Sequence, residues 1–139
     1  MKVYLAGRYQ EREKLVQYAI ALGLAEIEVT SRWLEETHQP NTQLTDVPDL
    51  ELVKYAVWDL QDVDSADILV QICDEPNTRG GAHVEFGFAL GAGKKIVVVG
   101  PEHNIFHRLP SVYKFDTWLE AEKFLIETAV EEDLRHQST

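Results

Sequence analysis

The chain is expected to fold as α/β, with a five-stranded, mainly parallel sheet covered by helices on both faces. Three features predict this. Short apolar runs of strand length alternate with longer segments of helical period, in the order βαβαβαβ(β)α. Glycines punctuate the alternation where helices begin or end, as at Gly23 and Gly80-Gly81. The 139 residues suit one domain, residues 1–139, large enough to bury a core without a metal or disulfide staple.

Lys2–Ala6 (KVYLA) reads as a short buried strand. Gln10–Leu22 follows as a helix, with Leu15, Tyr18, Ala19 and Leu22 at helical spacing and Gly23 as its stop. Ile27–Ser31 (IEVTS) is the second strand. Glu35–Thr45, polar and broken by Pro40, is expected to be a mobile surface loop. Asp46–Ser65 is a helix capped by Thr45 or Asp46, with Pro48 in its first turn and Leu52, Val53, Ala56, Val57, Leu60 and Val63 on one face. Asp67–Ile72 (DILVQI) is the third strand and Gly80–Gly91 the helix after it. Lys95–Val99 (KIVVV) and the short Val112–Phe115 complete the sheet. Thr117–Arg135 closes the chain as an amphipathic helix that buries Trp118, Phe124, Leu125 and Val130. Ligands in such sheets bind outside the carboxyl ends of the strands, which directs attention to Gly7–Tyr9, Ser31–Trp33, Cys73–Gly81 and Gly100–His107.

Composition narrows the function. Twenty-four acids against thirteen bases give a net charge of −11, which repels nucleic acid and anionic lipid while leaving small neutral ligands open. No apolar run approaches the ~18–20 residues of a membrane span, and the first residues, MKVYLAGRYQ, lack the pattern of a signal peptide. A lone Cys73 fits a reducing, cytoplasmic setting. Neither the dinucleotide fingerprint nor the phosphate loop is present, so NAD and ATP are unsupported and no cofactor is expected. His103 and His107 stand four apart, but in a loop bounded by Pro101 and Pro110 with no evident third ligand, so no metal is expected either.

Chemistry concentrates in Arg79-Gly80-Gly81-Ala82-His83-Val84-Glu85-Phe86-Gly87. Two glycines bring backbone close to a ligand and turn into a helix. Glu85 lies about one turn in, where flanking Val84 and Phe86 would desolvate it and sharpen it as a nucleophile or base. The alternative is a solvated first-turn glutamate favoured by the helix dipole. Asp59 is a second acid, late in the preceding helix, with Asp62 sharing its side. Two carboxylates converging on one pocket suit glycosidic chemistry, one attacking the anomeric carbon and the other managing the leaving group. Tyr4 is either core or the phenol that holds a carboxylate in place. Ser31-Arg32-Trp33 ends the second strand with a hydroxyl, a fixed charge and a flat ring, where Trp33 either stacks on a base or caps the core.

With these pieces placed, the chain resembles the nucleoside 2-deoxyribosyltransferase family. The matching segments are VYLAGRY, SRW, WDLQDVDSADILV, RGGAHVEFGFALGAGKKIVVVG and the NIF of PEHNIF, spanning about residues 2–109 in order. The resemblance implies a flavodoxin-like three-layer sandwich. It also implies a double displacement that exchanges the nucleobase on 2′-deoxyribose. Carried over by position, Glu85 is the nucleophile that forms a deoxyribosyl ester at C1′. Asp59 assists proton transfer and Tyr4 orients the nucleophile. Gly7, Arg8, Ser31, Arg32, Trp33, Arg79, Gly80 and Gly81 would line the substrate. Asn104 and Phe106 look like the pair that a neighbouring subunit inserts against the sugar 5′-hydroxyl, which implies a dimer-based homo-oligomer with shared sites. The implied partners are nucleosides and free nucleobases.

The sequence departs from the family at Arg79, where several members carry an acid, so the base preference does not transfer. The same residues allow a hydrolase cleaving the N-glycosidic bond of nucleoside 5′-monophosphates, with Arg8, Arg32 and Arg79 as phosphate partners. A non-catalytic nucleotide-binding module on this fold is a third reading.

Overall fold

The structure is a computed structural model, and it describes residues 1–35, 49–75 and 80–137. Five strands form one sheet: β1 (Lys2–Ala6), β2 (Glu28–Val29), β3 (Ile68–Ile72), β4 (Lys95–Val99) and β5 (Val112–Phe115). Their order is β2-β1-β3-β4-β5 and every pair is parallel, the flavodoxin-like arrangement. Four helices connect and flank them: α1 (Arg12–Leu24), α2 (Asp49–Ser65), α3 (Gly81–Gly91) and α4 (Trp118–Gln137).

Alternation along β3 shows how the layers are assigned. Gln71 meets His83 of α3 on one face. Ile72 points to the other, where a Cβ on Gly7 would sit between it and Leu15 of α1. Helix α2 packs beside α3, and Tyr18 of α1 stacks on Trp118 of α4 with ring centroids 4.1 Å apart. The result is α1/α4, sheet, α2/α3. The central strands β1, β3 and β4 are buried almost throughout, and their Val, Ile and Leu side chains form the core with Leu15, Leu22, Ala89 and Leu125.

Several boundaries differ from the sequence expectation, each for a local reason. β2 keeps only Glu28–Val29 of the expected Ile27–Ser31. It is an edge strand, and at its end the Ser31 hydroxyl, not backbone, accepts the Leu5 N–H. α1 passes through Gly23 to Leu24, and Glu26 takes the left-handed conformation (φ 62°) usually left to glycine at a helix end. Single turns of 3-10 helix follow β1 (Tyr9–Glu11), β2 (Arg32–Glu35) and β4 (Ile105–Arg108). Val130 is exposed rather than buried, whereas Thr128 on the same helix turns inward and donates its hydroxyl proton to the Phe124 carbonyl, 2.7 Å away. The expected loop Glu35–Thr45 beyond Glu35, the capping Thr45 or Asp46, and Pro48 lie outside the described residues. No helix among the described residues is long and apolar enough to cross a membrane.

Candidate active site

The switch point of the sheet lies between β1 and β3, whose crossovers leave in opposite directions. On the α2/α3 face of these two strands, Tyr4 of β1 is fully buried. Its hydroxyl donates to Oε2 of Glu85, a buried residue on the second turn of α3. A phenol in the core needs an acceptor, and a carboxylate in the core needs a donor, so each accounts for the other. Burial, then the negative charges of Glu85 and Asp59, push the Tyr4 pKa well above its ordinary value. Tyr4 therefore stays protonated and acts only as a donor to Glu85.

Asp59 approaches from α2. Burial, followed by repulsion from Asp62, pushes its carboxyl up to about 6, while Arg32 pulls the other way. Its Oδ1 is buried without a hydrogen-bond partner. Asp62, one turn on, is committed elsewhere. It accepts the backbone N–H of Arg32 at 3.0 Å and its Nε at 3.0 Å, with Nη2 at 2.9 Å completing a bidentate clamp. Asp59 carries the raised pKa of about 6, and its charge acts on Tyr4 alongside that of Glu85.

The other sequence-predicted residues divide by what they touch. Gly80 starts α3 in the left-handed conformation (φ 80°), and Gly81 opens onto free space. Gly7 gives room for α1, since a Cβ there would meet the Leu15 side chain at 3.0 Å. Arg8 lies 4.0 Å from Glu75. Ser31 and Trp33 are buried and both bind Leu5 of β1: the Ser31 hydroxyl accepts its N–H at 2.7 Å, and the Trp33 Nε1–H donates to its carbonyl at 2.8 Å. Here Ser31 and Trp33 fasten the end of β1. Arg32 is held by Asp62 and lies over the Trp58 ring, 4.6 Å from its centroid. Asn104 caps the turn Ile105–Arg108 through Oδ1, and Phe106 is exposed beside it. Arg79 lies outside the described residues.

One residue with a polar role here was not singled out from sequence. Gln71 is buried on β3 and bridges His83 to His107 at 3.2 and 3.0 Å. The visible signal was a glutamine inside DILVQI, polar in an otherwise apolar central strand. Among the described residues no cluster of three or more His, Cys, Asp and Glu is arranged to hold a metal.

Fold and site together define a doubly wound α/β domain with a phenol-anchored carboxylate at its switch point. No family model matches the chain, and no curated protein does. Among solved structures it is similar to the CMP N-glycosidase BcmB of Clostridium botulinum, at 20% identity and a TM-score of 0.57, covering 93% of this chain and 98% of that one. It is also similar to a conserved protein from Enterococcus faecalis V583, at 16% identity and a TM-score of 0.56, over 91% and 95%. At these identities the likeness is one of fold.

Proposed function

We propose that this protein cleaves the N-glycosidic bond of nucleosides or nucleoside 5′-monophosphates, with Glu85 as nucleophile and water as the final acceptor. The observation that carries the reading is the buried Tyr4–Glu85 hydrogen bond with the half-buried Asp59 in the same electrostatic neighbourhood. Glu85 attacks C1′ as the bond to the base breaks. Asp59, protonated in part near neutrality because its pKa is about 6, delivers a proton to the departing base. Tyr4 aims the attacking carboxylate. In the second half, Asp59 takes a proton from water, the water oxygen bonds to C1′, and Glu85 leaves with its electron pair. The similarity to a CMP N-glycosidase supports hydrolysis.

The second reading is base exchange, in which a free nucleobase replaces water. The SRW, HVEFG and NIF segments of the family resemblance favour it. It brings with it a homo-oligomer in which Asn104 and Phe106 serve a neighbouring subunit. The buried free thiol of Cys73, pushed up to about 12 mainly by burial, is inert and suits a reducing cytoplasm.

Incubation of a 2′-deoxynucleoside and of its 5′-monophosphate, each with and without a second base, tests the reading. Free base at a rate independent of the second base is expected. A new nucleoside would move the assignment to exchange. Glu85→Gln is expected to reduce turnover by at least about 10³-fold. Turnover at the wild-type rate would remove Glu85 from the mechanism.

A further inference from the structure

Asp62 stands one turn of α2 beyond Asp59, and at a spacing of three residues the two side chains leave the helix about 5–6 Å apart. It is buried, and both its backbone and its side chain are tied to the end of β2. Its backbone carbonyl accepts the Thr30 hydroxyl proton at 2.8 Å. Its carboxylate accepts three N–H groups of Arg32: the backbone N–H on Oδ2 at 3.0 Å, Nε on Oδ1 at 3.0 Å, and Nη2 on Oδ1 at 2.9 Å. Paired with a guanidinium in this way, it fixes a negative charge one turn from Asp59.

Arg32, the counter-charge, is itself anchored. Its Nη2 also donates to Gln61 Oε1 at 3.2 Å, and its guanidinium lies over the ring of Trp58, the residue before Asp59. Asp59 Oδ1, by contrast, is buried with no hydrogen-bond partner. The two acids therefore live in opposite conditions on one helix: Asp62 has the arginine, and Asp59 has Asp62. The charged and titratable groups about Asp59 are Asp62 and Lys54 of α2, Arg32 of the turn after β2, and Tyr4 of β1, which is bonded to Glu85 of α3. Burial raises the Asp59 pKa most, Asp62 raises it next, and Arg32 opposes them by less.

We propose that Asp62 serves the reaction through Asp59: by taking Arg32 to itself and setting its own charge beside Asp59, it leaves that carboxyl unpaired and able to hold the proton destined for the leaving base. The inference rests on the role given to Asp59 above. Asp62 is a positioning residue, and its work is done on Arg32 and Asp59. Without it Arg32 would face Asp59 alone, and a carboxylate opposite a guanidinium gives up its proton too readily to act as an acid at neutral pH. Asp62 and Arg32 cancel in net charge, so the effect comes from their order in space, with the anion on the side of Asp59 and the cation committed beyond it.

Carbon-13 titration of the aspartate carboxyls tests this with no substrate present. In the wild type the Asp59 midpoint is expected at about 6. Asp62→Asn, which keeps the size and one acceptor, is expected to move it down toward the ordinary value of about 3.9, because Arg32 then has no other acid beside it. Arg32→Gln is expected to move it up, because Asp62 then acts unopposed. Opposite signs distinguish the two charges from loosened packing, which admits water and lowers the midpoint in both variants. An unchanged or higher midpoint in Asp62→Asn, or an unchanged or lower one in Arg32→Gln, overturns the proposal. Should Asp62→Asn not fold, the double variant Arg32→Gln with Asp62→Asn takes its place. Its midpoint is expected below that of Arg32→Gln alone, and one equal or higher overturns the proposal. Single-turnover base release carries the same signature. For a midpoint lowered to about 5, Asp62→Asn is expected to lose roughly tenfold at pH 7 and only about twofold at pH 5. An equal loss at both pH values means that Asp62 is merely structural. A protein whose Asp59 midpoint shifts as described but which releases no base sinks the reaction and leaves the coupling standing. Base release with an Asp59 indifferent to Asp62 sinks the coupling alone.

Discussion

Asp59 carries a conflict between stability and chemistry that a single substitution exposes. A carboxylate with a buried, unpartnered oxygen beside Asp62 is disfavoured as an anion, which is why its pKa rises to about 6. A raised carboxyl pKa favours the folded state while the group is protonated, and that advantage is lost as pH climbs from about 4 through 6. Asp59→Asn is therefore expected to raise the melting temperature by a few degrees at pH 8 and to leave it nearly unchanged at pH 4, while turnover falls. An equal shift at both pH values would mean that the anion is not destabilised. In the wild type, proton delivery by Asp59 should weaken above pH 6, seen as a falling alkaline limb in single-turnover base release. Glu85 and Asp59 were legible in the sequence as acids near a glycine turn and a helix end. The choice between Asp59 and Asp62 was not, because it depends on Arg32, thirty residues from Asp62 along the chain and in contact only after folding.

At the level of the elements, the strands and helices followed from periodicity, whereas the uses of residues at the strand ends did not. Ser31 and Trp33 read equally well as ligand contacts or as partners of a neighbouring strand, and a hydroxyl or indole after a strand carries no mark of which. The Leu5 backbone takes both. The Asp62–Arg32 clamp ties α2 to the end of β2. Asp62→Ala is expected to cost about 1–3 kcal/mol in urea unfolding, at the low end because the freed guanidinium already reaches water. No loss would show that the clamp is incidental. The two positive-φ glycines beside the site predict a graded pair. Gly80→Ala meets open space and is expected to cost about 1–2 kcal/mol, from its dihedral alone. Gly100→Ala (φ 97°) would also place a Cβ 3.2 Å from the Cys73 backbone and 2.9 Å from Asp74, so its loss should be clearly larger. Equal losses would mean that the loops after β3 and β4 can separate freely.

For the molecule as a whole, the charge of −11 governs how copies of the chain would meet in the proposed homo-oligomer. Described apolar residues on the α3 side are exposed, Val84, Ile105 and Phe106 among them, and the proposed homo-oligomer would cover such residues against like-charged surfaces. Self-association is then expected to strengthen as salt rises from about 0.01 to 0.3 M, because screening removes repulsion while apolar burial persists. Sedimentation velocity showing dissociation by salt would argue instead for an ion-paired interface or none. The tryptophans also divide by layer. Trp118 lies flat on Tyr18 between α1 and α4, while Trp58, on the helix that bears Asp59, contacts the cations of Arg32 and Lys54. Two of the three tryptophans thus stand on opposite sides of the sheet, and Trp33 is a third, buried emitter beside β1. Emission from Trp58 should respond when the site fills, and emission from Trp118 should stay constant until the far helices come apart.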